Sequence, residues 1–302
     1  MNHRDRKSTA ERTIAPAFRC LAAAFCLTVA NGADKNVQVT RDVEYARVGE
    51  QSLKLDLYLP EKQTKPVPLL IYVHGGAWRS GTKENPPIAP LAGKGFAVAS
   101  VDFRLTPVAP FPANTHDIKA AIRFLRAKAV DFGYDAKRFA IVGTSSGGHL
   151  AALAGVSNGH KELEGKIGEH CDASSDVQAI VSFFGAANLQ TILGQSTPHG
   201  LSVRVPALQL LLGGQPDEKP TLARLASPVA HLDAHDPPLL LIHGDADPQM
   251  PIEQSRELHA AYEKAGRPVR FTVIAGGKHG GPEFYDTERL ALVERFLREN
   301  LR

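Results

Sequence analysis

The chain has 302 residues, 43% of them apolar, which is enough to bury the core of one sizeable α/β domain. Its 35 basic residues are scattered among 32 acidic ones, for a net charge of +3, without the long basic run that nucleic-acid binding favours. Nucleic acid is therefore not an expected partner.

The N-terminus carries Arg4, Arg6, Lys7, Arg12 and Arg19, then an apolar run from Cys20 to Ala30, then small residues at Gly32 and Ala33. That order predicts a secretory signal peptide over residues 1–33 and an exported, periplasmic or extracellular protein; a retained hydrophobic tail is the alternative. Arg19 interrupts the apolar stretch, so no stable membrane span is expected. Neither Cys20 nor Cys26 sits in a lipoprotein-type context, and cleavage leaves Cys171 as a lone thiol that can form no internal disulfide. Residues 34–302 are then expected to form one catalytic domain.

Leu53, Leu55, Leu57 and Leu59 alternate with Lys54, Asp56 and Tyr58, the period of an antiparallel edge strand with one wet face. Leu69–Val73, Phe96–Val101, Phe139–Val142, Ala179–Phe184 and Leu239–Ile242 are continuous apolar runs, as parallel strands covered on both faces should be. Helical faces lie between and after them, at Ile118, Ile122 and Leu125 and at Leu290, Val293 and Leu297. Alternating strands and helices predict an α/β fold with a doubly wound parallel sheet. Residues 186–238, rich in Gly, Pro and Gln, break that rhythm and read either as a small cap or lid insertion or as a long surface excursion.

The chemistry concentrates where strands end. Gly143-Thr144-Ser145-Ser146-Gly147-Gly148 follows the Phe139 strand and precedes the helix-prone His149–Leu153, so it predicts a sharp strand-to-helix turn that exposes the Ser145 hydroxyl. A serine needs a base, and acyl transfer creates an oxyanion that needs fixed donors. His74-Gly75-Gly76-Ala77-Trp78 ends the Leu69 strand, and the backbone N–H groups of Gly76, Ala77 and Ser146 are the expected oxyanion donors. His74 is expected to hold this loop; Trp78 either packs under it or lines the pocket.

On such a scaffold the acid and the base follow the serine in chain order. Asp247, in the loop after Leu239–Ile242, is the expected acid, and His279, bracketed by glycines after the Val269–Ile274 strand, the expected base. Asp245 is the rival acid, and Asp286 a weaker one because it follows the histidine. His243 and His149 are expected in surface or packing roles. Neither a paired-cysteine motif nor an HExxH helix occurs, so no metal and no cofactor are implied.

From about Leu53 to its end the chain resembles the α/β-hydrolase superfamily of esterases and lipases. The nearest likeness is to the bacterial feruloyl or acetyl esterase-like group related to the hormone-sensitive lipase family. HGGAW at His74, VDFRLTPVAPFP from Val101, GTSSGGHLAA from Gly143 and HGDADPQMPIEQS from His243 carry the resemblance. It implies an eight-stranded, mostly parallel sheet with an antiparallel N-terminal edge, and it carries nucleophile, acid and base to Ser145, Asp247 and His279. It also implies that Asp102 and Arg104 form a structural pair, with Asp117 in a like role. The implied activity is carboxylic ester hydrolysis through an acyl-enzyme, on short-chain acyl or aryl esters of acetyl or feruloyl type, free or glycan-linked. An arylformamidase-like amide hydrolase and a non-catalytic binding protein are the alternatives. Ala77 stands where lipase-type relatives have a third glycine, and the short stretch before His74 predicts an open pocket.

Overall fold

Unbroken apolar runs can form strands only where both faces of the sheet are covered, and the computed structural model, which describes residues 36–302, has that arrangement. The expected signal peptide, residues 1–33, lies outside the described residues. One sheet contains β1 (Val37–Val48), β2 (Gln51–Pro60), β3 (Val67–Val73), β4 (Ala97–Val101), β5 (Tyr134–Thr144), β6 (Ala179–Phe183), β7 (Leu239–Gly244) and β8 (Val269–Ile274). Their order is β1-β2-β4-β3-β5-β6-β7-β8; β1 and β2 pair antiparallel, as do β2 and β4, and every other pairing is parallel.

The helices are α1 (Ala113–Ala127), α2 (Ala129–Phe132), α3 (Ser146–Val156), α4 (Lys161–Glu164), α5 (Ile192–Gln195), α6 (Pro198–Leu212), α7 (Pro220–Leu225), α8 (Glu253–Lys264) and α9 (Thr287–Asn300). Successive side chains of a strand point to opposite faces. Leu69, Ile71 and Ile141 accordingly share one layer with Ile118 and Ile122 of α1, Leu150 and Leu153 of α3, and Leu258 of α8. Leu70, Tyr72 and Val142 share the other with Val293, Phe296 and Leu297 of α9. Each fully buried Leu, Ile or Val contributes about 1.5–3 kcal/mol, which makes these two layers the main source of stability.

The alternating segment at Leu53 is not the edge. β2 is flanked by β1 and β4, and its supposedly wet face is closed at Asp56, fully buried under Arg41 and Lys83, and at Tyr58, and stays open at Lys54. The antiparallel edge is β1, where Val37, Val39, Val43 and Tyr45 alternate with polar residues; its register shifts between Thr40 and Val43 and again between Glu44 and Ala46.

Residues 186–238 fold into α5, α6 and α7 rather than a bare excursion. Thr197 caps α6 by accepting the Gly200 N–H at 3.0 Å. Ala187, Leu189, Ile192, Leu208 and Leu211 join the α1–α3 layer of the core, so the insertion is packed onto the sheet's own hydrophobic interior.

Candidate active site

The turn at Ser145 is forced by close packing. A Cβ on Gly147 would fall 2.1 Å from the Val73 carbonyl oxygen, and one on Gly143 would fall 2.1 Å from the Gly147 oxygen, so both positions exclude any side chain. Between them Ser145 takes φ 54° and ψ −122°, a strained backbone for a residue with a side chain. Its N–H donates to Phe183 O at 2.9 Å and its carbonyl accepts the His149 N–H at 3.0 Å, which locks the turn between β6 and α3.

Three expected residues meet here. Ser145 Oγ lies 2.8 Å from His279 Nε2, and His279 Nδ1 lies 2.7 Å from Asp247 Oδ2. An ionised carboxylate can only accept, so Nδ1 carries the imidazole hydrogen and Nε2 is left to accept from the serine hydroxyl. The Asp247 side chain is fully buried, and its Oδ1 accepts the backbone N–H groups of Gln249 and Met250, both at 2.8 Å. Burial alone would raise this carboxyl, but hydrogen bonds from His243 and His279, the His279 charge and the Met250 N–H hold it far below the usual carboxylate range. It is a fixed negative charge beside the imidazole.

The rival acids are elsewhere. Asp245 is exposed and accepts the Gly276 N–H at 2.7 Å, tying together the loops after β7 and β8. Asp286 caps α9 by accepting the Arg289 N–H at 2.8 Å.

The HGGAW loop lies directly over the serine turn. A Cβ on Gly75 would fall 3.2 Å from Ser145 Cβ. Gly76, Ala77 and Trp78 all have positive φ, at 114°, 53° and 60°, and among the described residues the N–H groups of Gly76 and Ala77 meet no protein acceptor. With the Ser146 N–H, at the start of α3, they form a set of free donors beside Ser145. His74 has the expected holding role: its Nδ1 donates to Gly75 O at 2.8 Å and its ring stacks on Phe103 at 4.5 Å. Burial pushes its imidazole pKa down. Trp78 is fully buried and packs under the loop.

The expected Asp102–Arg104 pair is not formed. Arg104 instead forks onto Asp117, with Nη2 2.7 Å from Oδ1 and Nε 2.9 Å from Oδ2. Asp102 accepts the Lys83 N–H at 2.6 Å and stands 3.8 Å from His74 Nε2. Two further side chains surround the triad: His243, expected in a surface or packing role, and Phe184, which the sequence reading did not single out. His243 is buried in its packing role with Nε2 donating to Met250 O at 3.0 Å, 3.3 Å from Asp247 Oδ2, while its Nδ1 lies 2.7 Å from Ser255 Oγ. Phe184, at φ 40°, packs edge-on against the His279 ring at 4.9 Å. His243 is the penultimate residue of β7 and Phe184 directly follows β6, and that place at the carboxyl end of a strand is the signal that could have singled them out.

A mostly parallel sheet with this serine turn after its fifth strand, and with aspartate and histidine on the loops after its seventh and eighth, defines an α/β-hydrolase. The BD-FAE family model matches residues 55–262, and the chain belongs to that family. Among its relatives, esterase LipC of Mycobacterium tuberculosis is 33% identical over 221 residues, 72% of this chain and 54% of LipC. The chain spans about half the length of the curated relatives it matches. Among solved structures, a truncated carbohydrate esterase from gut microbiota superposes with a TM-score of 0.81 at 34% identity, covering 89% of this chain and 98% of that one. The propionate-bound esterase Est2 of Thermogutta terrifontis gives 0.70 at 26% identity, over 88% of this chain and 94% of Est2.

Proposed function

We propose that this protein is a serine carboxylic ester hydrolase that works through an acyl-enzyme on short-chain acyl or aryl esters, including esters carried on glycans. The observation that supports this most is the relay from Ser145 Oγ to His279 Nε2 at 2.8 Å and from His279 Nδ1 to Asp247 at 2.7 Å.

In this reading Ser145 Oγ attacks the ester carbonyl while His279 Nε2 takes its proton. The carbonyl oxygen becomes an oxyanion that the N–H groups of Gly76, Ala77 and Ser146 receive, and buried Asp247 stabilises the imidazolium. His279 returns the proton to the departing alcohol oxygen, leaving the acyl group on Ser145. Water, deprotonated by His279, then releases the acid and restores the serine. The substrate class draws support from similarity to a carbohydrate esterase and to an esterase with propionate bound.

A panel of acetyl, butyryl and long-chain aryl esters, acetylated xylo-oligosaccharides, methyl ferulate and a formyl anilide tests the proposal, together with mapping of fluorophosphonate labelling. Turnover is expected for the acetyl, butyryl and glycan esters, with the label on Ser145. A preference for long chains would overturn the substrate class, faster turnover of the anilide the ester assignment, and a label elsewhere the nucleophile.

A further inference from the structure

His149 lies one turn of α3 beyond Ser145, fully buried, and takes no part in the proton relay. Its Nε2 is 2.6 Å from the Ala226 carbonyl oxygen and its Nδ1 is 3.0 Å from Trp78 Nε1. A carbonyl oxygen only accepts and an indole N–H only donates, so both contacts form together in one tautomer, with hydrogen on Nε2 and the lone pair on Nδ1. The imidazole thus bridges three parts of the molecule: the helix that starts at the nucleophile, the HGGAW loop, and the 186–238 insertion.

The HGGAW loop needs such a tie. Ala77 and Trp78 are consecutive non-glycine residues in left-handed backbone, at φ 53° and 60°. Such conformations are unfavourable for residues with a side chain and persist only where the surroundings over-determine them. Trp78 has one polar side-chain atom, and it is spent on His149; the two rings meet edge to face at 5.4 Å and 89°. Its backbone carbonyl accepts the Thr106 N–H at 2.9 Å. Both ends of the residue are therefore held.

We propose that His149 is a positioning residue for the oxyanion donors: by accepting the Trp78 indole N–H, it fixes the loop from which Gly76 and Ala77 offer their N–H groups. This rests on the ester-hydrolase reading above. The rival explanation is that His149 only anchors the insertion through Ala226.

The two contacts can be separated, because an Asn amide reaches the place of Nδ1 and a Gln amide that of Nε2. His149→Gln keeps a donor for Ala226 O and loses the acceptor for Trp78. It is expected to lower kcat about 10- to 100-fold with little change in KM, since these donors act on the transition state. Affinity for a boronic-acid mimic of the tetrahedral adduct should fall in parallel. His149→Asn, which keeps the acceptor toward Trp78, is expected to restore most of kcat. Trp78→Phe should reproduce the His149→Gln loss, and the double variant should be no worse than either single one. Thermal unfolding accompanies each assay; if His149→Gln fails to fold, Trp78→Phe compared with wild type decides. Full kcat in folded Trp78→Phe or His149→Gln overturns the proposal, as does a loss confined to His149→Asn. A wild type that hydrolyses no ester defeats the parent reading before any variant is compared.

Discussion

The two ends of the same parallel strands are built differently. At their amino-terminal ends, where the chain turns through left-handed backbone before β4 and β5, it uses glycine, Gly95 at φ 85° and Gly133 at φ 80°. Loose backbone groups there are met by side chains: Gln178 Oε1 accepts the Phe139 N–H at 2.9 Å and Arg267 Nε donates to Asp236 O at 2.8 Å. At the carboxyl ends positive φ falls on residues that carry side chains, Ala77, Trp78, Ser145 and Phe184, four of the six non-glycine residues with positive φ among those described. Such backbone is unfavourable for a residue with a side chain. The end that lacks strain is ordinary scaffolding, and the strained end carries the relay, so stability is given up where fixed geometry serves chemistry.

The largest effects should come from the strained end and leave the scaffold intact. Ser145→Ala keeps the backbone and the core and removes the nucleophile; esterase turnover is expected to fall about 10⁶-fold, with a melting temperature close to wild type. Retained turnover would mean that the strained serine is not the reacting group. Asp247→Asn should cost about 10⁴-fold in kcat, because an amide can present N–H to His279 and favour the wrong tautomer. The same substitution reports on stability. Asp247 in the folded protein titrates well below its unfolded value of about 3.9, so it stabilises above that pH and loses its contribution as the pH falls. The wild type should therefore lose stability below about pH 4 more steeply than Asp247→Asn does, as acid titration followed by circular dichroism can measure.

How much of this was legible depended on whether a feature is local. Strands with both faces covered announce themselves as apolar runs, and β3 through β7 lie where those runs do. The turn motif at Ser145 and the glycine-rich loops are local too, and Ser145, Asp247 and His279 come together at hydrogen-bond distance. An antiparallel N-terminal edge was expected, but it was placed at β2 rather than β1, whose alternation at Val37, Val39, Val43 and Tyr45 is interrupted by Arg41 and Asp42 where the register shifts. Arg104 was matched with Asp102 when its partner is Asp117, 13 positions on in α1, since nothing in a run of residues tells a neighbour in sequence from a neighbour in space. The link between His149 and Trp78 spans 71 positions and depends on how α3 docks under the loop after β3. Phe184 was read as the last residue of an apolar strand, which hid its strained backbone.

Phe184 allows strain to be separated from packing. Phe184→Ala and Phe184→Gly remove the same buried ring from the His279 face, and both should be destabilised by about 3–5 kcal/mol with slower turnover. Only glycine relieves the backbone at φ 40°, so Phe184→Gly is expected to be the more stable of the two by about 1 kcal/mol in urea unfolding. Equal stabilities would mean that the carboxyl end holds less strain than its dihedrals imply.

The smallest effect belongs to the unstrained end. Asp236 precedes Pro237, Pro238 and β7, with its Oδ2 accepting the Asp233 N–H at 2.7 Å. Burial, helped by the nearby Asp233 charge, pushes its carboxyl up to about 6 against the opposing Asp233 hydrogen bond and Arg267. A folded value above the unfolded one of about 3.9 means that the fold prefers the neutral acid. Its contribution is thus full below about pH 4 and is lost as the pH rises through about 6. Asp236→Asn keeps an oxygen acceptor for Asp233 and removes the charge. Its melting temperature should exceed that of the wild type by a few degrees at pH 8, on the order of 1 kcal/mol, and the gap should close at pH 4. Turnover should not change at either pH, because the substitution lies at the opposite end of the strands from Ser145. A change in kcat would show that the two ends of the sheet are coupled, and the division between scaffold and strained edge would no longer hold.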